Sequence, residues 1–280
     1  ASLQTAARLD FIDICTPPAS HAELIAEACR SGLHVFSEKP LVTGRSGLEQ
    51  VDEAAKTSGK VVFAVNNWKY TPLWNQVLAL VKQGVIGTVR SVSLEVLRTP
   101  SSGGGASDWR RRVAISGGGI LLDHGWHALY LVRALVSGPP LTVSARMGFA
   151  AADPALEDEV DLSVGFGEAE ARIFLTWRSA CRKNLATICG EEGRIAIHDD
   201  HFLLEKDHEP SRRIEFPEPL SAGSHHLDWM IPVGKGFHRE LCDPRVRGEN
   251  FMEARWCARL IDQAYQSHRR GSRSLSAIEG

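Results

Sequence analysis

From Phe11 to Val65 the chain alternates short apolar runs with stretches of helical periodicity, and this alternation restricts the fold more than any other feature. Phe11-Ile12-Asp13-Ile14-Cys15 is a β-branched and aromatic run that stops at Thr16-Pro17-Pro18. Ser20-His21-Ala22-Glu23 has capping-box spacing, and Leu24, Ile25, Ala28 and Cys29 follow at helical intervals up to a closing Gly32. Val35 and Phe36 begin a second strand that leaves through Glu38-Lys39-Pro40. Ser46-Gly47-Leu48-Glu49 repeats the capping-box spacing ahead of Leu48, Val51 and Ala55, and Gly59 ends that helix. Val61-Val62-Phe63-Ala64-Val65 is continuously apolar, as in a strand covered on both faces. Strand, helix, strand, helix, strand predicts an α/β fold with a parallel sheet. Ligands of such sheets sit beyond the carboxyl ends of the strands, which here are Thr16-Pro17-Pro18, Glu38-Lys39-Pro40 and Asn66-Asn67. Pro40 fixes its own φ and pushes Lys39 towards an extended backbone, which suits a positioned lysine better than a solvated one.

Beyond Asn67 the pattern changes. Leu73, Val77, Leu78 and Val81 predict a helix stopped by Gly84 and Gly87, and Val92, Leu94 and Val96 alternate with polar residues in a half-wet strand. Ser101 to Gly105 reads as a flexible loop, followed by Asp108-Trp109-Arg110-Arg111-Arg112. Gly117-Gly118-Gly119 opens a helix through Asp123, His124 and His127 towards Leu135. Period-2 segments at Leu141 to Met147, Val160 to Phe166, Ala171 to Trp177 and Leu185 to Cys189 predict an open, mostly antiparallel sheet. A last helix spans about Glu249 to Arg269. We therefore expect two domains: residues 1–67, the C-terminal part of a Rossmann-type parallel-sheet domain, and 68–280, an α/β domain for substrate and self-association.

Composition excludes several classes of function. A formal charge of −2 and a pI near 6.6 give no reason to expect nucleic acid as partner. No apolar run reaches the roughly 20 residues of a membrane span, and the first residues lack the features of a signal peptide. The 6 cysteines are scattered without a CxxC, as expected of free thiols in a reducing cytoplasm. Asp123, His124 and His127 could ligate a metal, but no further ligand set stands at matching spacing, so none is expected. His225-His226 reads as a loop.

Five segments in order, TPPASHAELIAEACRSGLHVFSEKPL, VNNWKYTP, QGVIGTV, DWR and GGGILLDHGWHALYLV, resemble the glucose–fructose oxidoreductase/inositol dehydrogenase (Gfo/Idh/MocA) family. The resemblance implies a Rossmann domain followed by an α/β domain, NAD or NADP as cofactor, and redox chemistry at a CH–OH carbon of a sugar, cyclitol or related polyol. It also implies a homodimer or homotetramer paired through sheet faces. The family's EKP lysine falls on Lys39, and its D-x-G-x-H pair on Asp123 and His127, the implied catalytic residues. A lysine can stabilise a developing alkoxide, and an imidazole has the unperturbed pKa of a neutral-pH base. Spaced i and i+4, Asp123 and His127 share a helix face. The implied cofactor contacts are Thr16, Pro17, Pro18, His21, Glu38, Lys39, Pro40, Asn67, Trp109 and Arg110, with Arg111 and Arg112 solvated.

Two departures stand out. Three residues after the histidine the family usually has an acid; here Tyr130 takes that place and is expected to donate to substrate. No G-x-G-x-x-G occurs, because Gly103-Gly104-Gly105 and Gly117-Gly118-Gly119 have the wrong spacing. The first strand corresponds to the family's fourth, so about two βα units of roughly 30 residues are not represented, and weak dinucleotide binding is expected. The competing class of function is a non-enzymatic relative that keeps the sheet for self-association and lacks cofactor binding. The joint presence of Lys39, Asp123 and His127 favours the enzyme.

Overall fold

The computed structural model describes residues 9–100, 109–150, 153–223 and 226–277, so the Ser101 to Gly105 loop, Asp108 and His225 lie outside the described residues. The first unit is a parallel sheet of β1 (Phe11–Ile14), β2 (His34–Ser37) and β3 (Val62–Ala64), in that order, linked by α1 (His21–Arg30) and α2 (Arg45–Ser58). Val62, Phe63 and Ala64 are all buried, as a continuous apolar strand requires. Gly32 and Gly59 adopt positive φ just past the ends of α1 and α2.

Neither capping box forms. The Ser20 hydroxyl turns back to donate to the Pro17 carbonyl and to meet Thr16 Oγ1 at 2.7 Å, so it ties the turn after β1 instead of capping α1. Ser46 lies inside α2, which begins one residue earlier after Gly44.

The second unit contains α3 (Pro72–Lys82), β4 (Val89–Leu97), the single turn α4 (Val113–Ser116), a π-helical turn (Leu121–Gly125) and α5 (Trp126–Leu135). The strands β5 (Thr142–Ala150), β6 (Asp153–Phe166), β7 (Ala169–Thr176), β8 (Lys183–Gly190), β9 (Gly193–His198), β10 (His201–Lys206) and β11 (Arg212–Glu215) follow. The chain ends in α6 (Leu227–Cys242), α7 (Glu249–Arg269) and β12 (Leu275–Ser276). The sheet order is β11-β10-β9-β8-β4-β7-β6-β5-β12, and only the β4–β7 pair is parallel. Helices α5 and α7 pack on one face of this sheet. Alternate residues on that face, among them Val92, Leu94, Ile173 and Ile188, form the core.

The C-terminal helices also return to the first unit. Phe237 of α6 packs against Phe11, Phe36 and Phe63 at ring separations of 5.3–5.6 Å. Asn250 in α7 accepts from the Ala64 N–H at 2.6 Å and donates to the Ala64 carbonyl at 3.0 Å, closing the outer edge of β3. Such pairing satisfies backbone groups that an uncovered edge would leave open. Among the described residues no helix is long and apolar enough to cross a membrane.

Candidate active site

Where β2 ends, the Glu38 N–H donates to the Ile14 carbonyl at 2.9 Å, carrying the chain past both strand tips. The Lys39-Pro40 peptide is cis. From there Lys39 Nζ donates to Oδ1 of Asp123 at 2.8 Å and to its backbone carbonyl at 2.9 Å. These two residues, with Cys15, Thr16, Pro18, Glu38, Pro40, Trp109 and Arg110, line a cavity of about 290 Å³ at the carboxyl ends of β1 and β2. The Arg110 guanidinium lies 4.4 Å from the Trp109 ring centre. Arg111 and Arg112 are exposed, and Arg111 donates to the Pro100 carbonyl.

Asp123 sits in the π-helical turn, a widened geometry frequent at functional sites. A carboxylate holds that turn in place. Buried Glu157 accepts from the N–H groups of Gly119 at 2.9 Å and Leu121 at 3.1 Å, and from the Tyr265 hydroxyl at 2.8 Å. Burial raises its pKa, against the pull of these donors. Gly119 is required here, because a Cβ would stand 1.9 Å from the Glu157 carbonyl oxygen.

Burial works against the charge of Asp123, yet the Lys39 ammonium and His124 hold its carboxyl well below the usual range. His124 Nδ1 lies 3.2 Å from Asp123 Oδ2, a contact off the hydrogen-bonding line, while its Nε2 accepts from Arg98 Nε at 3.2 Å. Burial lowers the His124 pKa to about 4, so the ring is neutral at pH 7. Arg98 is 1% exposed and is anchored by the Asn184 side chain and the carbonyls of Leu97 and Lys183.

His127 follows in α5, a helix buried on nearly every side. Its ring stacks on Trp68 with centres 4.2 Å apart and planes at 8°. Its Nδ1 is 2.7 Å from the Tyr130 hydroxyl, which also accepts from the Trp68 N–H at 2.8 Å. Burial and the nearby Lys39 charge push the His127 pKa well down, so this ring too is neutral.

Two of the expected contacts are fully buried. Tyr130 is fully buried, with its hydroxyl engaged by the Trp68 N–H and His127 Nδ1. His21 is also fully buried, with ring nitrogens 2.8 Å from the Pro40 carbonyl and 2.7 Å from that of Thr16; it joins the two cavity-lining turns from behind. Pro17 caps the turn after β1, and Asn67 begins a 3-10 turn at Trp68–Tyr70. Among the described residues Asn67 Oδ1 is buried without a hydrogen-bond partner, whereas Asn66 is committed to Glu253 and Trp126. Trp68, Arg98 and Glu157 were not legible as site residues, since each is brought in from a distant strand or turn. No group of three or more His, Cys, Asp or Glu among the described residues is disposed to hold a metal.

Comparison with known proteins gives the family and the fold. Residues 1–66 match the oxidoreductase family with the NAD-binding Rossmann fold, and residues 74–196 match the GFO/IDH/MocA C-terminal domain. Over 157 residues the chain is 32% identical to dTDP-3,4-didehydro-2,6-dideoxy-alpha-D-glucose 3-reductase of Actinomadura kijaniata, covering 56% of this chain and 44% of that protein. Over 148 residues it is 30% identical to inositol 2-dehydrogenase of Rhizobium meliloti, covering 51% and 42% respectively. The chain thus spans about half the length of the curated relatives it matches. The solved structure of levoglucosan dehydrogenase in complex with NADH and levoglucosan superposes with a TM-score of 0.82 at 21% identity, over 99% of this chain and 82% of that one, and so shares its fold. The two family matches, in the order the fold requires and together spanning residues 1–66 and 74–196, make this chain a member of the Gfo/Idh/MocA oxidoreductase family.

Proposed function

We propose that this chain carries the nicotinamide half of a dehydrogenase site acting on a CH–OH carbon of a sugar, cyclitol or related polyol, with NAD or NADP. The observation that carries this reading is the Lys39–Asp123 pair, 18% and 22% exposed, in the wall of a cavity at the carboxyl ends of parallel strands. Membership of the family and the sugar and cyclitol names of its relatives support the substrate class.

The residues present fit a nicotinamide. Among the described residues Asn67 Oδ1 is a buried acceptor without a hydrogen-bond partner, just past the carboxyl end of β3, and a carboxamide N–H would satisfy it. Thr16, Pro17, Pro18, Glu38, Pro40, Asn67, Trp109 and Arg110 would hold the group. When bound, the nicotinamide supplies the hydride acceptor or donor.

Lys39 Nζ has one hydrogen to offer after its two bonds to Asp123, and it directs that hydrogen to the substrate oxygen. Asp123 fixes the ammonium in place through its carboxylate and its backbone carbonyl. His127, one helical turn beyond Asp123, is stacked on Trp68. We further propose a homodimer or homotetramer assembled through the helix-free face of the large sheet, where Phe174 and Leu185 flank Glu95 on adjacent strands and are partly exposed.

The test is a spectrophotometric assay of nicotinamide reduction over a panel of sugars and cyclitols, with the protein expressed from its whole reading frame. Turnover of at least one CH–OH substrate supports the proposal. A panel without turnover in either direction, with cofactor shown to bind, overturns it.

A further inference from the structure

The hydrogen-bond chain Trp68–Tyr130–His127 has one arrangement that leaves no buried hydrogen unpaired. The Tyr130 oxygen accepts from the Trp68 N–H at 2.8 Å, which is a fixed donor because it is a backbone amide. The phenol hydrogen then needs an acceptor. Among the described residues the hydroxyl's other partner is His127 Nδ1, at 2.7 Å. If Nδ1 carried hydrogen, the phenol oxygen would accept twice and its own hydrogen would be stranded in a fully buried side chain. A stranded buried donor costs about 1–3 kcal/mol, a factor of roughly 5–150 in population.

We infer that Tyr130 donates to Nδ1 of His127 and so fixes the ring as its Nε2–H tautomer, making His127 a hydrogen-bond donor in the resting site. This deepens the dehydrogenase reading and rests on it for what Nε2 meets, though the tautomer itself does not depend on cofactor or substrate. With Nδ1 committed, Nε2 is the nitrogen left for a ligand; the residue as a whole is 5% exposed. The stack on Trp68 fixes the plane of the ring, and the same residue's amide orients the phenol.

Consequences for the chemistry follow. A ring that carries hydrogen at Nε2 cannot take a further proton there, because that nitrogen's lone pair belongs to the aromatic ring. Taking it at Nδ1 would break the bond to Tyr130 and create an imidazolium, which burial beside the Lys39 ammonium opposes. In the resting site His127 therefore presents an N–H, and not a lone pair, at Nε2. Tyr130 acts through His127 and is a positioning residue.

The test is two-bond ¹H–¹⁵N correlation spectroscopy of this chain with ¹⁵N-labelled histidine, near neutral pH and without cofactor, using His127→Gln to assign the His127 signals. We expect the single-tautomer pattern of Nε2–H. In Tyr130→Phe, with only the phenol oxygen removed, we expect that pattern to give way to a mixture or to Nδ1–H. An Nδ1–H pattern in the wild-type chain overturns the inference, as does an unchanged Nε2–H pattern in Tyr130→Phe. Because the readout needs no turnover, its failure is distinguishable from failure of the dehydrogenase assignment.

Discussion

Lys39 and Asp123, 84 residues apart in sequence, are joined twice: Lys39 Nζ donates to the carboxylate of Asp123 and to its backbone carbonyl. One residue leaves the parallel sheet, and the other lies in the π-helical turn that precedes the buried helix of the second unit. The pair thus links the two halves of the cavity. Removing one partner would leave a largely buried charge uncompensated, which is more costly than the pair itself is stabilising.

The π-helical turn depends on Glu157, so its substitution is a direct test of what holds Asp123. Glu157→Leu leaves the N–H groups of Gly119 and Leu121 and the Tyr265 hydroxyl without their acceptor. We expect a loss of about 2–4 kcal/mol in urea unfolding. Tyr265→Phe, which removes one donor and keeps the carboxylate bonded to the backbone, should cost about 1 kcal/mol.

Much of this was legible in the sequence. Val61 to Val65 is continuously apolar and is buried throughout, and the periodic stripe from Glu249 to Arg269 is the helix its spacing predicts. Helix α6 was hidden because Pro232, Gly234 and Gly236 interrupt it; its helicity comes from packing Val233 and Phe237 onto the first sheet. Capping-box spacing misled at Ser20 and Ser46, where the hydroxyl found a nearer carbonyl or the helix began earlier. Lys39, Asp123 and His127 stood out in the sequence, but the buried hydrogen bonds of Tyr130 did not. Its hydroxyl is held by a backbone amide at Trp68, and no side-chain pattern encodes which N–H will point at it.

Acid should destabilise the site through its neutral histidines. The His124 pKa is lowered from 6.5 to about 4 on folding, and that of His127 is also lowered. The unfolded chain therefore binds more protons in that interval. Stability is complete above about pH 6.5 and is lost as pH falls towards 4, by up to about 3 kcal/mol for His124. Urea midpoints measured across this range should decline in the wild-type chain and decline less steeply in His124→Asn. A flat wild-type profile would mean that the ring is charged in the folded state.

Association should run through the open sheet face. Leu185 lies opposite Glu95 on the adjacent strand and is partly exposed. Sedimentation equilibrium should show a dimer or tetramer for the wild-type chain and a shift towards monomer for Leu185→Glu, since a charge placed in an apolar contact must be desolvated. A clean wild-type monomer at micromolar concentration would count against this interface.

Turnover of the protein expressed from its whole reading frame, compared between wild type, Lys39→Met and His127→Ala at saturating cofactor, addresses the catalytic assignment most directly. We expect each substitution to lower turnover at least about 100-fold, the scale of losing a proton-transfer group or an oxyanion donor, with cofactor affinity little changed. Asp123→Asn should act on the same step by releasing the lysine. Near-normal turnover in Lys39→Met or His127→Ala would contradict the placement of the reacting oxygen beside these two side chains.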